Sequence, residues 1–392
     1  MSPAHYAQFY QEALLENVIP FWVNHSPDPE YGGFFTCLDH KGAVYDTDKF
    51  IWLQCREVWT FSMLCDELGV NETWLDLARP GGDFLRKHGR DEQGNWYFSL
   101  TREGKPLVQP YNIFSDCFAA MAFSRLYRLT GDEQHRELAT DTFKNIIARQ
   151  DHPKGKYEKS VPGTRPMQGL ALPMILSNLV LEVEHLIDPD LVKRTIDRSM
   201  QLVMQVLYRP DQKVILEHVG EDGEFLDTFE GRMVNPGHGL ESMWFMMDLA
   251  ERSGDRQMIE NATRISLELM DFGWDTLYGG LFYFLDVKGH PPDKLEWDQK
   301  LWWVHQEAMI AMLKAFLHTG NSDCWRWFEK LHNYSWNRFA DPEYGEWYGY
   351  LNRRGEILLP AKGGKWKGCF HTPRFLLKCW QTMVKIEEKL PG

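Results

Sequence analysis

Aromatic-rich apolar arms and longer amphipathic stretches alternate along this chain. Each arm runs into a charged turn with a glycine, and most of the stretches that follow are long enough for two helices. Such turns predict β-hairpins, because glycine readily adopts the left-handed conformation that tight hairpin loops need. The turn glycines are Gly42, Gly104, Gly223, Gly289 and Gly355. The pattern therefore predicts a repeated unit of one hairpin and two helices.

The repeat has a period of about sixty residues, which suits a hairpin with two helices. Neighbouring turn glycines lie roughly one such period apart. The exception is the gap between Gly104 and Gly223, where two periods fit and a hairpin is absent near residue 163. The letters Asp-Pro-Glu-Tyr-Gly at 28–32 also return at 341–345. Six units are therefore expected.

Apolar periodicity and helix end signals predict twelve helices, two in each unit. Ser2 caps the first helix, which starts at Pro3 and runs to Val23. Asn71 can cap the third helix, and Pro80 is expected to disturb it midway. The other predicted ranges are 48–68, 115–130, 132–149, 167–186, 189–207, 238–252, 255–272, 299–318, 322–338 and 371–388.

Six helical hairpins with all their loops on one side can close into a double-layered ring. The predicted fold class is therefore all-α, a single (α/α)6-barrel domain over residues 1–392 with short β-hairpins on one face. Closure would place the helix after residue 371 beside the first helix. An open solenoid would need distinct polar repeats at each end, and the sequence contains none.

The composition favours a large core and a sugar ligand over a nucleic acid. Hydrophobic residues make up 43% of the chain and aromatic residues 14%, including sixteen tryptophans. Clustered aromatic rings most often pack a core, but in a concave site they also suit the apolar faces of sugars. The net charge of −13 argues against a nucleic-acid-binding surface.

Cysteine usage and the N-terminal residues predict a soluble cytoplasmic protein. Seven cysteines without a C-x-x-C motif indicate free thiols in a reducing compartment. The first residues lack the basic and apolar regions of a signal peptide. The apolar stretch 170–181 is too short to cross a bilayer. No histidine or acidic motif has metal-site spacing, so no metal is expected.

Five polar residues with acid, base or charge-stabilising potential share one position of the repeat, shortly after a turn glycine and near the start of the next helix. They are Arg56, His238, His305, Glu307 and His371. In a closed barrel these helix starts converge, so the five are predicted to meet at one mouth. A lone histidine at a helix start is more often a cap or a surface residue. Three histidines at matching positions favour a functional site.

Three motifs carry a family resemblance. They are Gly-Arg-Met-Val-Asn-Pro-Gly-His-Gly-Leu-Glu-Ser at 231–242, Leu-Trp-Trp-Val-His-Gln-Glu at 301–307 and Cys-Phe-His-Thr-Pro-Arg at 369–374. Together they resemble the N-acylglucosamine 2-epimerases, which are related to the cellobiose 2-epimerases, and the resemblance covers essentially the whole chain. It implies interconversion of N-acetylglucosamine and N-acetylmannosamine without a cofactor that takes part in the chemistry.

The resemblance implies that His238 and His371 transfer protons and that Arg56 and Glu307 are their essential partners. The residue types fit this chemistry. Inverting carbon 2 of the opened sugar removes the proton beside the aldehyde and returns one to the opposite face of the enolate. Histidine has an ordinary pKa of about 6.5, so it can accept a proton in one direction and donate it in the other.

The remaining site residues are expected to bind or polarise the sugar. Arg56 would stabilise the enolate oxygen, and Glu307 would fix a histidine tautomer. Glu241, which lies on the same helix face as His238, would assist ring opening. The predicted substrate-binding residues are Glu241, Trp303, Asn112 and Asp116.

A basic loop replaces the absent hairpin. It contains Lys154, Lys156, Lys159, Gly163 and Arg165. Glycines and basic side chains just before a helix can bind phosphate, although a mobile basic surface loop is an equal alternative. The resemblance implies that ATP binds here, with Lys159 as its phosphate partner, and activates allosterically without being hydrolysed. It also implies a homodimer.

Other functions remain open at this point. Many (α/α) barrels are glycoside hydrolases, which would use paired carboxylates such as Asp116 and Glu307 at an inverting separation of about 6.5–9.5 Å. The sugar could instead be mannose or cellobiose. A noncatalytic role is a third possibility, because animal members of the resembling family are also described as renin-binding proteins.

Overall fold

The computed structural model describes residues 1–161 and 163–389, and twelve helices form in this part of the chain. α1 and α7 are continuous but contain the π-helical stretches Ala13–Val18 and Leu202–Leu207. None of the helices in the described ranges is long and apolar enough to cross a membrane. The helices are α1 (3–25), α2 (Ile51–Leu68), α3 (Glu72–His88), α4 (Ile113–Thr130), α5 (Glu133–Arg149), α6 (Ala171–Val183), α7 (189–207), α8 (Pro236–Ser253), α9 (Arg256–Gly273), α10 (Trp302–Thr319), α11 (Ser322–Arg338) and α12 (His371–Lys389).

The even-numbered helices form an inner ring and the odd-numbered helices an outer ring. Each inner helix from α2 to α10 packs on the next inner helix, and each outer helix from α3 to α11 packs on the inner helix before it in the chain. Every residue at 302–315 of α10 is buried, whereas outer helix α11 buries only one face. This difference follows from position, because an inner helix is covered on both sides.

The ring closes between the two ends of the helical sequence. α1 packs along α12, and the Thr60 hydroxyl of α2 donates a hydrogen bond to the Cys369 carbonyl just before α12, at 2.7 Å. Trp59 and Phe370 also pack their rings at the same junction, 5.1 Å apart. The predicted (α/α)6 barrel is therefore confirmed.

Short antiparallel strands lie at the end of the barrel where the inner helices begin. The predicted hairpins at Gly42, Gly104 and Gly355 are confirmed, as β1–β2, β4–β5 and β13–β14. The strands are β1 (Cys37–Leu38), β2 (Val44–Asp46), β3 (Lys49–Phe50), β4 (Ser99–Leu100), β5 (Pro106–Val108), β6 (Met167–Gly169), β7 (Tyr208–Arg209), β8 (Val214–Ile215), β9 (His218–Gly220), β10 (Met233–Val234), β11 (Leu285–Asp286), β12 (Lys300–Leu301), β13 (Tyr350–Leu351) and β14 (Ile357–Leu359).

The two other predicted hairpins do not form as strand pairs. The turn at Gly223 closes, with the Gly220 N–H donating to the Glu224 carbonyl at 2.9 Å, but β8 pairs with β7 and β9 pairs with β6, so no strand ladder continues beyond the turn. Near Gly289, β11 pairs with β10 from the preceding unit. The chain after Gly289 contains Pro291 and Pro292, which have no backbone N–H to offer a hairpin ladder.

A buried ion pair recurs beneath three of the units. In each unit a turn aspartate accepts a hydrogen bond from a lysine whose side chain is fully buried. The pairs are Lys49 with Asp28 at 2.9 Å, Lys300 with Asp275 at 3.1 Å and Lys362 with Asp341 at 2.8 Å. This shared contact explains the matching letters at 28–32 and 341–345, because both segments form the same aspartate turn.

α3 is continuous through Pro80, so the predicted disturbance of this helix does not occur. The glycines that follow the proline serve packing instead. A Cβ on Gly81 would lie 2.6 Å from the Phe34 ring, and a Cβ on Gly82 would lie 2.6 Å from Leu126. Glycine is therefore needed where outer helix α3 approaches the inner layer closely.

Candidate active site

The starts of α8 and α12 hold the two predicted histidines at the mouth of the barrel. His238 is the third residue of α8, and His371 is the first residue of α12. Asn235 caps α8, and its side-chain oxygen accepts a hydrogen bond from the His238 backbone N–H at 3.1 Å. Pro236 follows at the first helical position, where the fixed φ of proline suits the start of a helix.

His371 belongs to a buried hydrogen-bonded cluster. Its Nδ1 lies 2.7 Å from Glu307 Oε1. Arg374, one turn further along α12, donates to the same Glu307 oxygen at 2.7 Å and to Glu241 at 2.6 Å. The Trp244 indole N–H donates to the second Glu307 oxygen at 2.8 Å. Glu307 is thus fixed by Arg374 and Trp244, and it in turn orients His371.

His238 has a simpler arrangement. Its Nδ1 lies 2.9 Å from Glu217 Oε1, and a quarter of its side chain is exposed. Glu217 lies between β8 and β9, and within the described residues its only ion-pair partner is His238. Both histidines therefore engage a carboxylate through Nδ1, which leaves Nε2 for proton transfer.

Trp303 brings the two histidines into one site. Its indole lies 5.2 Å from the His238 ring and 5.7 Å from the His371 ring, with interplanar angles of 35° and 34°. Because both imidazoles pack against the same indole, they lie close together at the mouth. The predicted substrate contact from Trp303 remains a prediction, but its ring contacts both histidines.

The surroundings move the two imidazole pKa values in opposite directions. For His371, burial and the nearby cations Arg56 and Arg374 hold the pKa well below its usual value of 6.5. For His238, burial alone would lower the pKa, but the hydrogen-bonded Glu217 carboxylate, together with Glu241, outweighs it and raises the pKa above 6.5. These directions favour the neutral form of His371 and the protonated form of His238.

Arg56 supplies an unneutralised positive charge beside this pair. Its guanidinium lies 3.9 Å from the centre of the Phe118 ring and 4.5 Å from that of Phe370. In the described part of the chain it forms no ion pair, and its Nε has no hydrogen-bond partner. Burial lowers the pKa of Arg56 to about 9, although the nearby Glu241 carboxylate acts to raise it. The cation is therefore available for an anion that forms in the site.

Three site residues have the donor chemistry of a metal site. Glu241, Glu307 and His371 each offer one ligand atom, and these atoms lie within 4.8 Å of one another. However, Arg374 donates to both carboxylates and already provides the positive charge that an ion would bring. The Arg374 guanidinium therefore accounts for the close approach of the two carboxylates.

Asn112 and Asp116 have other partners. Asn112 caps α4, accepting from the Phe114 N–H at 2.9 Å. The buried Asp116 pairs with Arg149 at 2.5 Å, and burial, only partly offset by Arg149, raises its pKa to about 7. Their predicted substrate contacts stay predictions. Because Asp116 pairs with Arg149 and Glu307 with Arg374, the two form no free carboxylate pair of the kind a glycoside hydrolase uses.

His305 does not take part in the site, so its predicted place at the mouth is wrong. Its Nδ1 hydrogen-bonds the Leu301 carbonyl at 2.7 Å, and its Nε2 accepts from the Leu281 N–H at 2.9 Å. Burial lowers the pKa of His305 to about 3. The imidazole is a neutral structural link, because both of its nitrogens bond to backbone groups.

The basic loop is exposed. The loop contains a 3-10 turn at Gly155–Tyr157. Lys154, Lys156, Lys159, Gly163 and Arg165 all lie at the surface. Gly163 has a φ of 76°, a conformation that favours glycine. At the end of the loop, the segment predicted as the start of a helix at Met167 is strand β6 instead, and α6 begins at Ala171. The predicted ATP contacts of this loop remain a prediction.

Sequence reasoning missed three polar partners in the site. Glu217 lies in the apolar arm before Gly223, where a glutamate is easily taken for a solvent-facing strand residue. Arg374 lies inside the motif at 369–374, but only His371 was given a role from that motif. Trp244 follows His238 by six residues. The spacing of Arg374, three residues after His371 on a helix, was the one usable signal.

Comparison with known sequences places the protein among the isomerases that epimerise sugars. The chain belongs to the N-acylglucosamine 2-epimerase (GlcNAc 2-epimerase) family, whose sequence pattern matches residues 33–372. It is 41% identical over 387 residues to the N-acylglucosamine 2-epimerase of Bos taurus, covering 96% of this chain and 91% of that protein.

More distant relatives have the same architecture. Cellobiose 2-epimerase of Ruminococcus albus is 27% identical over 397 residues, covering 94% of this chain and 96% of that protein. The structure of cellobiose 2-epimerase from Bacillus thermoamylovorans B4167 superimposes with a TM-score of 0.84 at 21% identity, over 96% of this chain and 99% of that one. This structural likeness supports the barrel and does not by itself identify the substrate.

Proposed function

We propose that the protein interconverts N-acetylglucosamine and N-acetylmannosamine by inverting carbon 2 of the opened sugar. The observation that carries the proposal is the packing of His238 and His371 against the same Trp303 indole, with pKa shifts of opposite sign. A two-base inversion needs one histidine that accepts a proton and one that donates it. The likeness to the Bos taurus protein supports the N-acyl sugar.

In one direction of the reaction neutral His371 removes the proton from carbon 2 through Nε2. Protonated His238 then delivers a proton through its own Nε2 to the opposite face. In the reverse direction the two histidines exchange roles. Glu307 and Glu217 hold the imidazoles by their Nδ1 atoms, so each ring keeps its orientation as its charge changes.

The enolate formed between these two steps carries a negative charge on the former aldehyde oxygen. Arg56 is the cation suited to it, because its guanidinium is held by aromatic rings and not by a carboxylate. Glu241, which accepts from Arg374, is suited to move the proton during ring opening. The chemistry needs no metal and no organic cofactor.

We further propose that ATP binds the loop at 154–165 and activates the enzyme without being hydrolysed. The exposed side chains Lys154, Lys156, Lys159 and Arg165 support this proposal, since they can bind the phosphates. The protein is also proposed to act as a cytoplasmic homodimer. Sedimentation of the purified protein tests the dimer, and cell fractionation tests the compartment.

The first experiment is proton NMR of the purified protein with N-acetylmannosamine in deuterated water, with and without ATP. We expect N-acetylglucosamine that carries deuterium at carbon 2, formed faster when ATP is present. An unchanged rate with ATP would refute activation. If neither exchange nor product appears, the N-acyl substrate is wrong, and mannose and cellobiose are tested in the same way.

A further inference from the structure

The basic loop and the carboxylate that holds His238 are joined by a pair of strands. β6 immediately follows the loop, and it pairs antiparallel with β9 through Met167 with Gly220, Gln168 with Val219 and Gly169 with His218. β9 begins one residue after Glu217. We infer that this strand pair is a positioning element, which holds Glu217 against His238 and couples that histidine to an anion bound at the loop.

The strand pair continues up to Glu217 itself. Beyond Gly169, the Leu170 N–H donates to the Glu217 carbonyl at 2.9 Å, and the Glu217 N–H donates to the Met233 carbonyl at 2.9 Å. The backbone of Glu217 is therefore fixed on both sides, once by the segment that leaves the loop and once by β10. A displacement of β6 would shift the Glu217 carboxylate, which lies 2.9 Å from His238.

Gly169 controls how closely the two strands approach. A Cβ placed on Gly169 would lie 3.3 Å from the His218 ring and 3.7 Å from the Glu217 carbonyl oxygen. The first distance is tight and the second is ordinary van der Waals contact, so an alanine needs only a small shift of the His218 ring. The added methyl groups of a valine would press further on that ring and push β6 away from β9. Met167, in the same strand, is exposed and offers a matched control.

The groups around His238 determine how this positioning can be measured. Glu217 and Glu241 favour its protonated form, whereas His371 packs against the same Trp303 indole. Tyr283 lies close to Glu217 and is a neutral phenol at ordinary pH. Since only Glu217 is bonded to the His238 ring, loosening Glu217 should make His238 easier to deprotonate.

The test measures the titration of the His238 imidazole by NMR of histidine-labelled protein, with the resonance assigned by its loss in His238→Asn. We expect Gly169→Val to lower the pKa of His238 by about one unit, Gly169→Ala to lower it less, and Met167→Val to leave it unchanged. An unchanged pKa in a folded Gly169→Val protein would overturn the positioning role. This readout does not depend on turnover, so it stands even if the proposed substrate is wrong.

The coupling to the loop rests on the proposed function, and ATP is its probe. In the native protein we expect ATP to raise the pKa of His238 and to leave the titration of His371 unmoved. In Gly169→Val, ATP should still bind, as measured by equilibrium dialysis, but its effect on His238 should be lost. If ATP binds the native protein without moving the pKa of His238, the coupling is refuted.

The opposite end of the loop supplies a competing route. α5 ends at Arg149, whose ion pair with Asp116 reaches α4, the helix that also carries Phe118 beside Arg56. We expect Arg149→Met to retain the effect of ATP on His238. Loss of that effect in Arg149→Met, with retention in Gly169→Val, would overturn the role of β6 and β9 in favour of α4.

Discussion

The two histidines at the mouth share a local geometry but differ in their electrostatic surroundings. Each has Nδ1 within 2.9 Å of a glutamate oxygen and packs against Trp303. Glu307 also accepts hydrogen bonds from Arg374 and Trp244, so its negative charge is already shared. Glu217 forms no ion pair with any other side chain in the described ranges. The same kind of carboxylate partner therefore stabilises a charged imidazole in one pair and not in the other.

The difference shows that a histidine and glutamate pair does not by itself define an acid or a base. What decides the role is the charge that the carboxylate retains for the imidazole, together with the cations nearby. Arg56 and Arg374 both act on His371. An inverting enzyme can thus build its acid and its base from the same two residue types.

Replacing either histidine should cause the largest loss. His238→Asn and His371→Asn are each expected to reduce the rate of epimerisation by about 10²–10⁴-fold, the usual contribution of general acid–base catalysis. His5→Asn, at an exposed position, is the control. Product formation followed by NMR measures the loss.

Isotope exchange distinguishes the two roles. His238→Asn should still exchange the carbon 2 proton of one of the two sugars with solvent, without inversion, because His371 remains. Full inversion by either variant would contradict a two-base scheme.

Removing Arg56 should affect both the enolate and His371. Arg56→Met is expected to reduce kcat by about 10²–10³-fold, as for the loss of a preorganised oxyanion donor. It should also raise the pKa of His371, because one of the cations that lower that pKa is gone. The acid limb of the pH profile would then move to higher pH. A loss in kcat with an unmoved acid limb would show that Arg56 does not set the charge of His371.

Removing the charge of Glu217, the carboxylate that bonds His238, should move only the alkaline limb of the pH profile. Glu217→Gln keeps a polar group of the same size but removes the charge that raises the pKa of His238. The expected loss is about tenfold above neutral pH and smaller below it, since each unit of pKa changes the protonated fraction tenfold in alkaline solution. The pH dependence of kcat measures this. An equal loss at every pH would indicate a steric effect.

The smallest expected effect concerns stability. The pKa of His371 is lowered on folding, so its contribution to stability is present above pH 6.5 and is lost as the pH falls. The pKa of His238 is raised, so its contribution is present below pH 6.5 and is lost as the pH rises past the folded pKa. Each proton changes the slope of the unfolding free energy by about 1.4 kcal/mol per pH unit.

Urea unfolding from pH 5 to 9 tests these signs. His371→Asn should flatten the acid side of the stability curve, and His238→Asn should flatten the alkaline side. The reverse pattern would contradict the assignment of the two roles.

Much of the architecture could be predicted because it repeats. The sequence repeat predicts the helices and the closure of the ring. It also predicts the common position of Arg56, His238 and His371. His305 has the same position in the repeat, yet its ring is used to bond Leu281 and Leu301. Position along a repeat fixes where a helix starts and does not fix which way a side chain points.

The partners of the histidines could not be found in this way. Glu217 directly precedes β9, which pairs with β6 from much earlier in the chain, and the predicted local hairpin did not include this pairing. Arg374 on α12 bonds to Glu241 on α8 and to Glu307 on α10. Contacts between units form only when the ring closes. They cannot be predicted from residues that are neighbours in the sequence.

Closure of the ring by α12 also has a consequence for synthesis. α12 follows the other eleven helices in the chain, covers α1 and brings both His371 and Arg374. While the ribosome is still making this helix, Glu241 and Glu307 lack their guanidinium partner, and buried carboxylates without one are costly. The proton-transfer site is therefore complete only after α12 has been synthesised and has packed onto the ring.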